Sequence, residues 1–196
     1  MGLYDRQESM KLENLEKPMA VLGAGGVGYW VSKFLAMSGV KTLYLFDPDV
    51  LEEHNLNRLD LPYRWLGKNK AQATKMSIVE IREDIKCLAF PYIAQEHTIP
   101  NDTKFIIDCT DKFDAQLKHQ DIAKGRNAKY IKAGYNGTHV SINDSVAEWG
   151  EAPDGYTIIP SWVVPSVVVA SMTVAKVLKY SGKEMSTDLS GLFINK

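Results

Sequence analysis

Cysteine is scarce in this chain, and its scarcity removes whole classes of function. The 196 residues hold two cysteines, Cys87 and Cys109, with no C-x-x-C pair. A four-cysteine zinc site is excluded, and a disulfide scaffold is not expected, which fits a reducing, cytoplasmic compartment. The four histidines (His54, His97, His119 and His139) show no metal-ligand spacing. Charge of one sign is also lacking: the formal net charge is -1, with basic and acidic residues mixed along the chain, so no nucleic-acid partner is expected. Uninterrupted apolar runs are missing too. Trp162 to Leu178 is rich in valine but carries Pro165, Ser166, Ser171, Thr173 and Lys176. A membrane span needs about 20 predominantly apolar residues, so a buried helix is the expectation and no membrane partner is assigned. Met1 to Lys17 is polar and charged, unlike a secretory leader. Internal repeats and low-complexity segments are absent.

What is present reads as one soluble α/β domain, 45% hydrophobic and 24% charged. Met19 to Gly23 is a short apolar strand. A glycine-rich turn then opens a helix to about Met37, with Val27, Trp30, Val31, Phe34 and Leu35 at helical spacing and Gly39 ending it. Lys41 to Asp47 is a second strand, which completes a βαβ unit. A polar loop precedes a helix over Asn69 to Asp84, in which Ala73, Met76, Ile78 and Ile81 are candidates for burial. Strands follow at Cys87 to Ile93, Thr103 to Cys109 and Lys129 to Ala133, with a helix at Phe113 to Ala123. Gly134 to Trp149 reads as two short antiparallel strands. A loop over Glu151 to Ser161, the valine-rich helix and a polar tail with an apolar patch at Leu192 to Ile194 complete the chain. The expected architecture is a Rossmann-like α/β fold: a mostly parallel sheet flanked by helices, with a small antiparallel extension. Residues 1–17 form an arm, 18–135 the nucleotide-binding core, and 136–196 the antiparallel strands, crossover loop and final helix.

The chemistry lies in an ordered set of residues. Gly23, Gly25, Gly26 and Gly28 stand between a strand and a helix, where backbone N–H groups can approach a polyphosphate. Asp47, with Asp49 close behind, ends the next strand about 20 residues on, where a carboxylate can accept ribose hydroxyls. These features alone suit a dehydrogenase as well as an ATP enzyme. Asn55, Asn57 and Arg58 follow, then Lys70 and Asp111. Cations aimed at one nucleotide suit a triphosphate, whose reaction develops charge on bridging oxygens. Asp111, just beyond a buried strand, can hold Mg2+, which favours one or two carboxylates plus phosphate oxygens. Singly, each has an ordinary alternative: Arg58 and Lys70 as surface charges, Asp111 as a helix cap.

Taken together, Tyr4-Asp5-Arg6-Gln7, Gly23 to Gly28, Asp47-Pro48-Asp49-Val50, Asn55-Leu56-Asn57-Arg58, Gly67 to Ala71 and Asp108-Cys109-Thr110-Asp111 resemble the ThiF/MoeB superfamily, the adenylating domain of ubiquitin-activating-type enzymes. The resemblance runs from residue 4 to about 135. It implies an adenylyltransferase using ATP and Mg2+, in which a carboxylate attacks the α-phosphorus and pyrophosphate leaves. Asp47 would hold the ribose, Asn55, Arg58 and Lys70 the phosphates, and Asp111 the metal. Arg6 would reach the triphosphate of a neighbouring subunit, which implies a homodimer. The chain departs from many members in having no cysteine from Gly134 to Lys196 and no zinc-binding pairs, so adenylation is expected without a thioester step. The expected substrate is a small-molecule or peptide acid, or the C-terminus of a ubiquitin-like or sulfur-carrier protein. The competing readings are an NAD(P)-dependent oxidoreductase and a non-catalytic partner subunit.

Overall fold

A computed structural model describes residues 2–137, 139–146, 160–179 and 185–188. Its strands are β1 (Met19–Leu22), β2 (Thr42–Phe46), β3 (Lys86–Phe90), β4 (Phe105–Asp108), β5 (Lys129–Asn136), β6 (His139–Asn143) and β7 (Met185–Asp188). Its helices are α1 (Gly26–Met37), α2 (Lys70–Val79), α3 (Phe113–Gly125) and α4 (Val163–Leu178). One sheet holds all seven strands in the order β3-β2-β1-β4-β5-β6-β7. The first five in chain order are parallel; β6 and β7 add antiparallel pairs. The expected α/β fold is therefore present.

The strands β1 and β4 are buried on both faces, as parallel strands between helices should be. Their side chains alternate between two cores. Met19, Val21, Leu43, Leu45, Phe105 and Ile107 pack with Val27, Val31 and Leu35 of α1 and with Val169, Ala170 and Val177 of α4. On the other face Ala20, Leu22, Tyr44, Phe46, Ile106 and Tyr130 pack with Ala123 of α3. The valine-rich segment is thus a core helix, and no helix among the described residues is long and apolar enough to cross a membrane.

Three expectations need correction. The two short antiparallel strands placed after Gly134 are the continuation of β5 to Asn136 and the separate β6, which pair around Asn136-Gly137. Strand β7 lies in the stretch expected to be a tail, and it earns its place by edge pairing with β6. Ile81 is exposed, because α2 ends at Val79. Residues 151–159 of the expected loop and the Leu192 to Ile194 patch lie outside the described residues.

Neighbours β2 and β4 lie on opposite sides of β1. In an open α/β sheet this switch point is where the carboxyl ends of the strands leave a crevice. The glycine turn sits there, directly after β1.

Candidate functional site

Gly23 has φ +85°, a conformation that favours glycine, and its N–H donates to Phe46 O at 2.8 Å. A Cβ on Gly28 would meet Gly23 O at 1.8 Å, so the turn can close onto α1 only with glycine there. The first N–H groups of α1 have no acceptor inside the helix, and no side chain caps its start. They face the switch-point crevice with the positive end of the helix dipole.

Arg58 reaches this helix start. Its Cδ lies 3.0 Å from where a Gly26 Cβ would stand. A satellite core of Tyr29, Leu51, Leu59, Leu61, Trp65 and Ala73 holds the loop that carries it. Trp30 Nε1 donates to Arg58 O at 2.8 Å, and Tyr29 Oη donates to Asp60 O at 2.8 Å. The guanidinium donates to His54 O at 3.0 Å and Asn57 Oδ1 at 2.9 Å, and Asn57 Nδ2 donates to Ser161 O at 2.8 Å. Asn55 is buried and its Oδ1 accepts Glu52 N–H at 3.0 Å, capping the short turn at Glu53–Asn55.

On the β2 side, Asp47 is 5% exposed. Its Oδ2 accepts Ala24 N–H at 2.6 Å and its Oδ1 accepts Asp49 N–H at 2.8 Å. Burial pushes its pKa above the usual carboxylate range, against those two N–H groups and Lys70. Asp49 is exposed and pairs with Lys70 Nζ at 3.1 Å, while Lys70 N–H donates to Asp49 O. Asn69 caps α2 by accepting Gln72 N–H, so Lys70 leaves the helix start at a fixed point.

On the β4 side, Cys109 O and Thr110 Cγ2 lie 3.1 and 3.4 Å from a hypothetical Gly23 Cβ, which puts the Asp108–Asp111 turn against the glycine turn. Asp111 is exposed there. Among the described residues no three His, Cys, Asp or Glu side chains cluster as a metal cage. A lone exposed carboxylate beside an uncapped helix start fits a metal held mainly by oxygens that a ligand would bring.

The expected residues Gly23, Gly25, Gly26, Gly28, Asp47, Asp49, Asn55, Arg58, Lys70 and Asp111 therefore gather at one end of the sheet. Arg6 does not. The arm packs at the other end of α1: Gln7 Nε2 donates to Ser38 O at 2.8 Å, and Tyr4 lies against Gly39. Twelve residues of helix put that end about 18 Å from the glycine turn. Arg6 is exposed.

The sequence did not reveal the buried polar group under the β4 turn. Asp108 is fully buried and accepts from Thr110 N–H at 2.9 Å, Thr110 Oγ1 at 2.6 Å and Tyr130 Oη at 3.0 Å, with His119 Nδ1 2.8 Å away. Lys132 Nζ donates to Thr110 O at 2.8 Å. The one visible signal was a lysine inside the otherwise apolar run Tyr130-Ile131-Lys132-Ala133.

Neither cysteine is poised as a nucleophile. Burial pushes the Cys87 thiol up to about 12, with Lys75 opposing, and the Cys109 thiol likewise to about 12, with Lys132 opposing.

The ThiF family model matches residues 3–148. Ubiquitin-like modifier-activating enzyme 5 of Bombyx mori is 26% identical over 198 residues, covering 93% of this chain and 47% of that protein. The Caenorhabditis elegans enzyme of the same name is 25% identical over 196 residues, covering 93% and 44%. The chain spans about half the length of these curated relatives. Among solved structures, E. coli MccB with SeMet MccA is similar at TM-score 0.77 and 20% identity, covering 96% of this chain and 71% of that one. PaaA is similar at TM-score 0.67 and 23% identity, covering 89% and 64%. MccB has also been solved with ATP.

Proposed function

The chain belongs to the ThiF family, and from that premise we propose that it is an ATP-dependent adenylyltransferase for a carboxylate. The acid's oxygen forms a bond to the α-phosphorus, the bond from that phosphorus to the bridging oxygen breaks, and pyrophosphate leaves with the electron pair. The products are an acyl adenylate and pyrophosphate. The observation that carries this reading is convergence: Arg58 against Gly26, Lys70 beside the Asp47 that binds Ala24 N–H, and the Asp111 turn against Gly23 all surround the glycine turn.

Each residue then has a task. The N–H groups at Gly25 to Gly28 bind phosphate oxygens, and Asp47 accepts the ribose hydroxyls on lone pairs its backbone donors leave free. Asp49 flanks the ribose and holds Lys70 until the nucleotide enters. Asn55 offers its amide N–H to the phosphates. Arg58 and Lys70 stabilise the charge that develops on the departing pyrophosphate. Asp111 would hold Mg2+, which when bound supplies charge neutralisation between phosphate oxygens. No strong general base is needed, because the attacking carboxylate is already ionised at neutral pH. With both thiols pushed up to about 12, nothing in these 196 residues favours a thioester step.

Arg6 enters from a second copy. Its place at the far end of α1 keeps it from its own glycine turn, which supports a homodimer with two composite sites. The substrate acid is a small molecule, a peptide, or the C-terminus of a ubiquitin-like or sulfur-carrier protein. A cytoplasmic enzyme of cofactor biosynthesis would suit this reading.

A nicotinamide oxidoreductase would leave Arg58, Lys70 and Asp111 idle. A non-catalytic partner would have no need to keep them. Exchange of labelled pyrophosphate into ATP across a panel of carboxylates tests the proposal: exchange that depends on one class of acid is expected. No exchange with any acid, together with tight NAD binding, would overturn it.

A further inference from the structure

The metal role of Asp111 in the proposed function raises the question of what aims that carboxylate, since Asp111 itself is exposed and follows a strand end. The register pairs Asp108 with Lys132 across β4 and β5, so the two side chains stand on the same face of the sheet. Lys132 is 6% exposed. Its Nζ donates to Thr110 O at 2.8 Å and to Ala133 O at 3.2 Å. Gln116 Nε2 from α3 donates to the same Thr110 carbonyl at 2.6 Å. Gly134 leaves room for the ammonium; a Cβ there would stand 3.2 Å from Nζ.

We propose that Lys132 is a positioning residue for Asp111: with Gln116 it fixes the Thr110–Asp111 peptide, and so the direction in which the Asp111 carboxylate is offered to phosphate-bound metal.

The geometry is direct. A peptide unit is planar, so fixing the Thr110 carbonyl also fixes the Asp111 N–H and Cα. The preceding peptide is held from the other side, because Asp108 accepts Thr110 N–H and Thr110 Oγ1. Both peptides around Thr110 are thus set by buried groups before any ligand arrives. A buried ammonium is costly unless a counter-charge is near. Asp108 supplies that charge from the neighbouring strand, and Asp111 lies within electrostatic range of Lys132 as well. A glutamine alone could satisfy the Thr110 carbonyl. The lysine adds a charge that ties this carbonyl to Asp108, making the turn one unit.

The test compares Lys132→Met, Lys132→Arg, Asp111→Asn and the Lys132→Met/Asp111→Asn double variant in the full chain. Methionine keeps the volume of the stem, and Asp108 keeps its Thr110, His119 and Tyr130 partners, so a folded variant is expected. In the unliganded protein, Lys132→Met should lower the 15N order parameter of the Asp111 amide from about 0.85 to below about 0.6. With the non-hydrolysable analogue AMPCPP bound, Mn2+ affinity read by electron paramagnetic resonance should fall by about tenfold in Lys132→Met, and by less than about twofold further in the Asp111→Asn background. Lys132→Arg should keep the Asp111 order parameter near about 0.85 and Mn2+ affinity within about threefold of wild type, since it keeps the charge and donors. An unchanged Asp111 order parameter in Lys132→Met would overturn the proposal, as would a loss of Mn2+ affinity that adds fully to that of Asp111→Asn. Should Asp111→Asn alone leave Mn2+ binding intact, the metal assignment fails, and the Asp111 order parameter still decides whether Lys132 holds the turn.

Discussion

At the end of β2, Asp47 accepts the N–H of Asp49, two residues on. At the end of β4, Asp108 accepts the N–H of Thr110, again two residues on. Both turns flank the glycine turn, and both present a second, exposed aspartate: Asp49 and Asp111. The local motif is the same and the electrostatics are opposite. Burial dominates at Asp47, the Asp49 charge adds to it, the two backbone N–H groups and Lys70 oppose it, and its pKa rises. Burial also acts on Asp108, but the His119 ring, the Thr110 hydroxyl and Lys132 outweigh it and hold the carboxyl below its usual range. The lesson is that a strand-end aspartate takes its character from what lies under the turn. On the β2 side the exposed Asp49 pairs with the mostly buried Lys70, an ion pair that a ligand can rearrange. The β4 side is set in advance by buried partners.

The largest contrast should lie in catalysis. Asp111→Asn is expected to cut acid-dependent pyrophosphate exchange by about 10²- to 10³-fold, through lost transition-state stabilisation. Asp49→Asn should cost about tenfold or less, because Lys70 loses an exposed partner and keeps its charge. Equal losses at the two sites would erase the distinction.

Stability should separate the buried pair next. Asp108→Asn leaves Lys132 without its counter-charge and weakens four contacts, so chemical denaturation should register a loss of about 3 kcal/mol. Asp47→Asn removes one acceptor from two N–H groups but also relieves a buried charge, and about 1 kcal/mol is expected.

Acid should then move these two deficits in opposite directions. The folded pKa of Asp108 is depressed, so its stabilisation is present above the unfolded value and is lost as pH falls through the folded one. The folded pKa of Asp47 is raised, so its ionisation costs stability as pH rises from the unfolded value through the folded one. Between pH 7 and about pH 3, the gap between wild type and Asp108→Asn should narrow, and the gap to Asp47→Asn should widen. Thermal denaturation at both pH values checks the sign. The smallest effect is expected for Tyr130→Phe, which removes one donor of several from Asp108 and should cost about 0.5 kcal/mol in the same assay.

Much of the β2 side was legible in the sequence, because its signals are local. The strand, glycine turn, helix and second strand follow one another, and Asp47, Arg58 and Lys70 lie within 50 residues of Gly23. The β4 side was legible only in its backbone and in Asp111. Asp108, Gln116, His119, Tyr130 and Lys132 meet through the β4–β5 register and the seating of α3, neither of which leaves a pattern along the chain. Strand β7 was illegible for a related reason. Met185-Ser186-Thr187-Asp188 has no apolar alternation, and only pairing with β6 makes it a strand. Arg6 was identified as a residue, and its distance from the glycine turn became visible only when the arm was seen on the far end of α1.

A crystal structure of the chain with Mg2+ and AMPCPP tests the account at its centre. The phosphates should lie over Gly25 to Gly28, contacted by Arg58 and Lys70, with the metal on Asp111 and the ribose at Asp47. A nucleotide bound elsewhere, or a triphosphate lying clear of Arg58, Lys70 and Asp111, would contradict it.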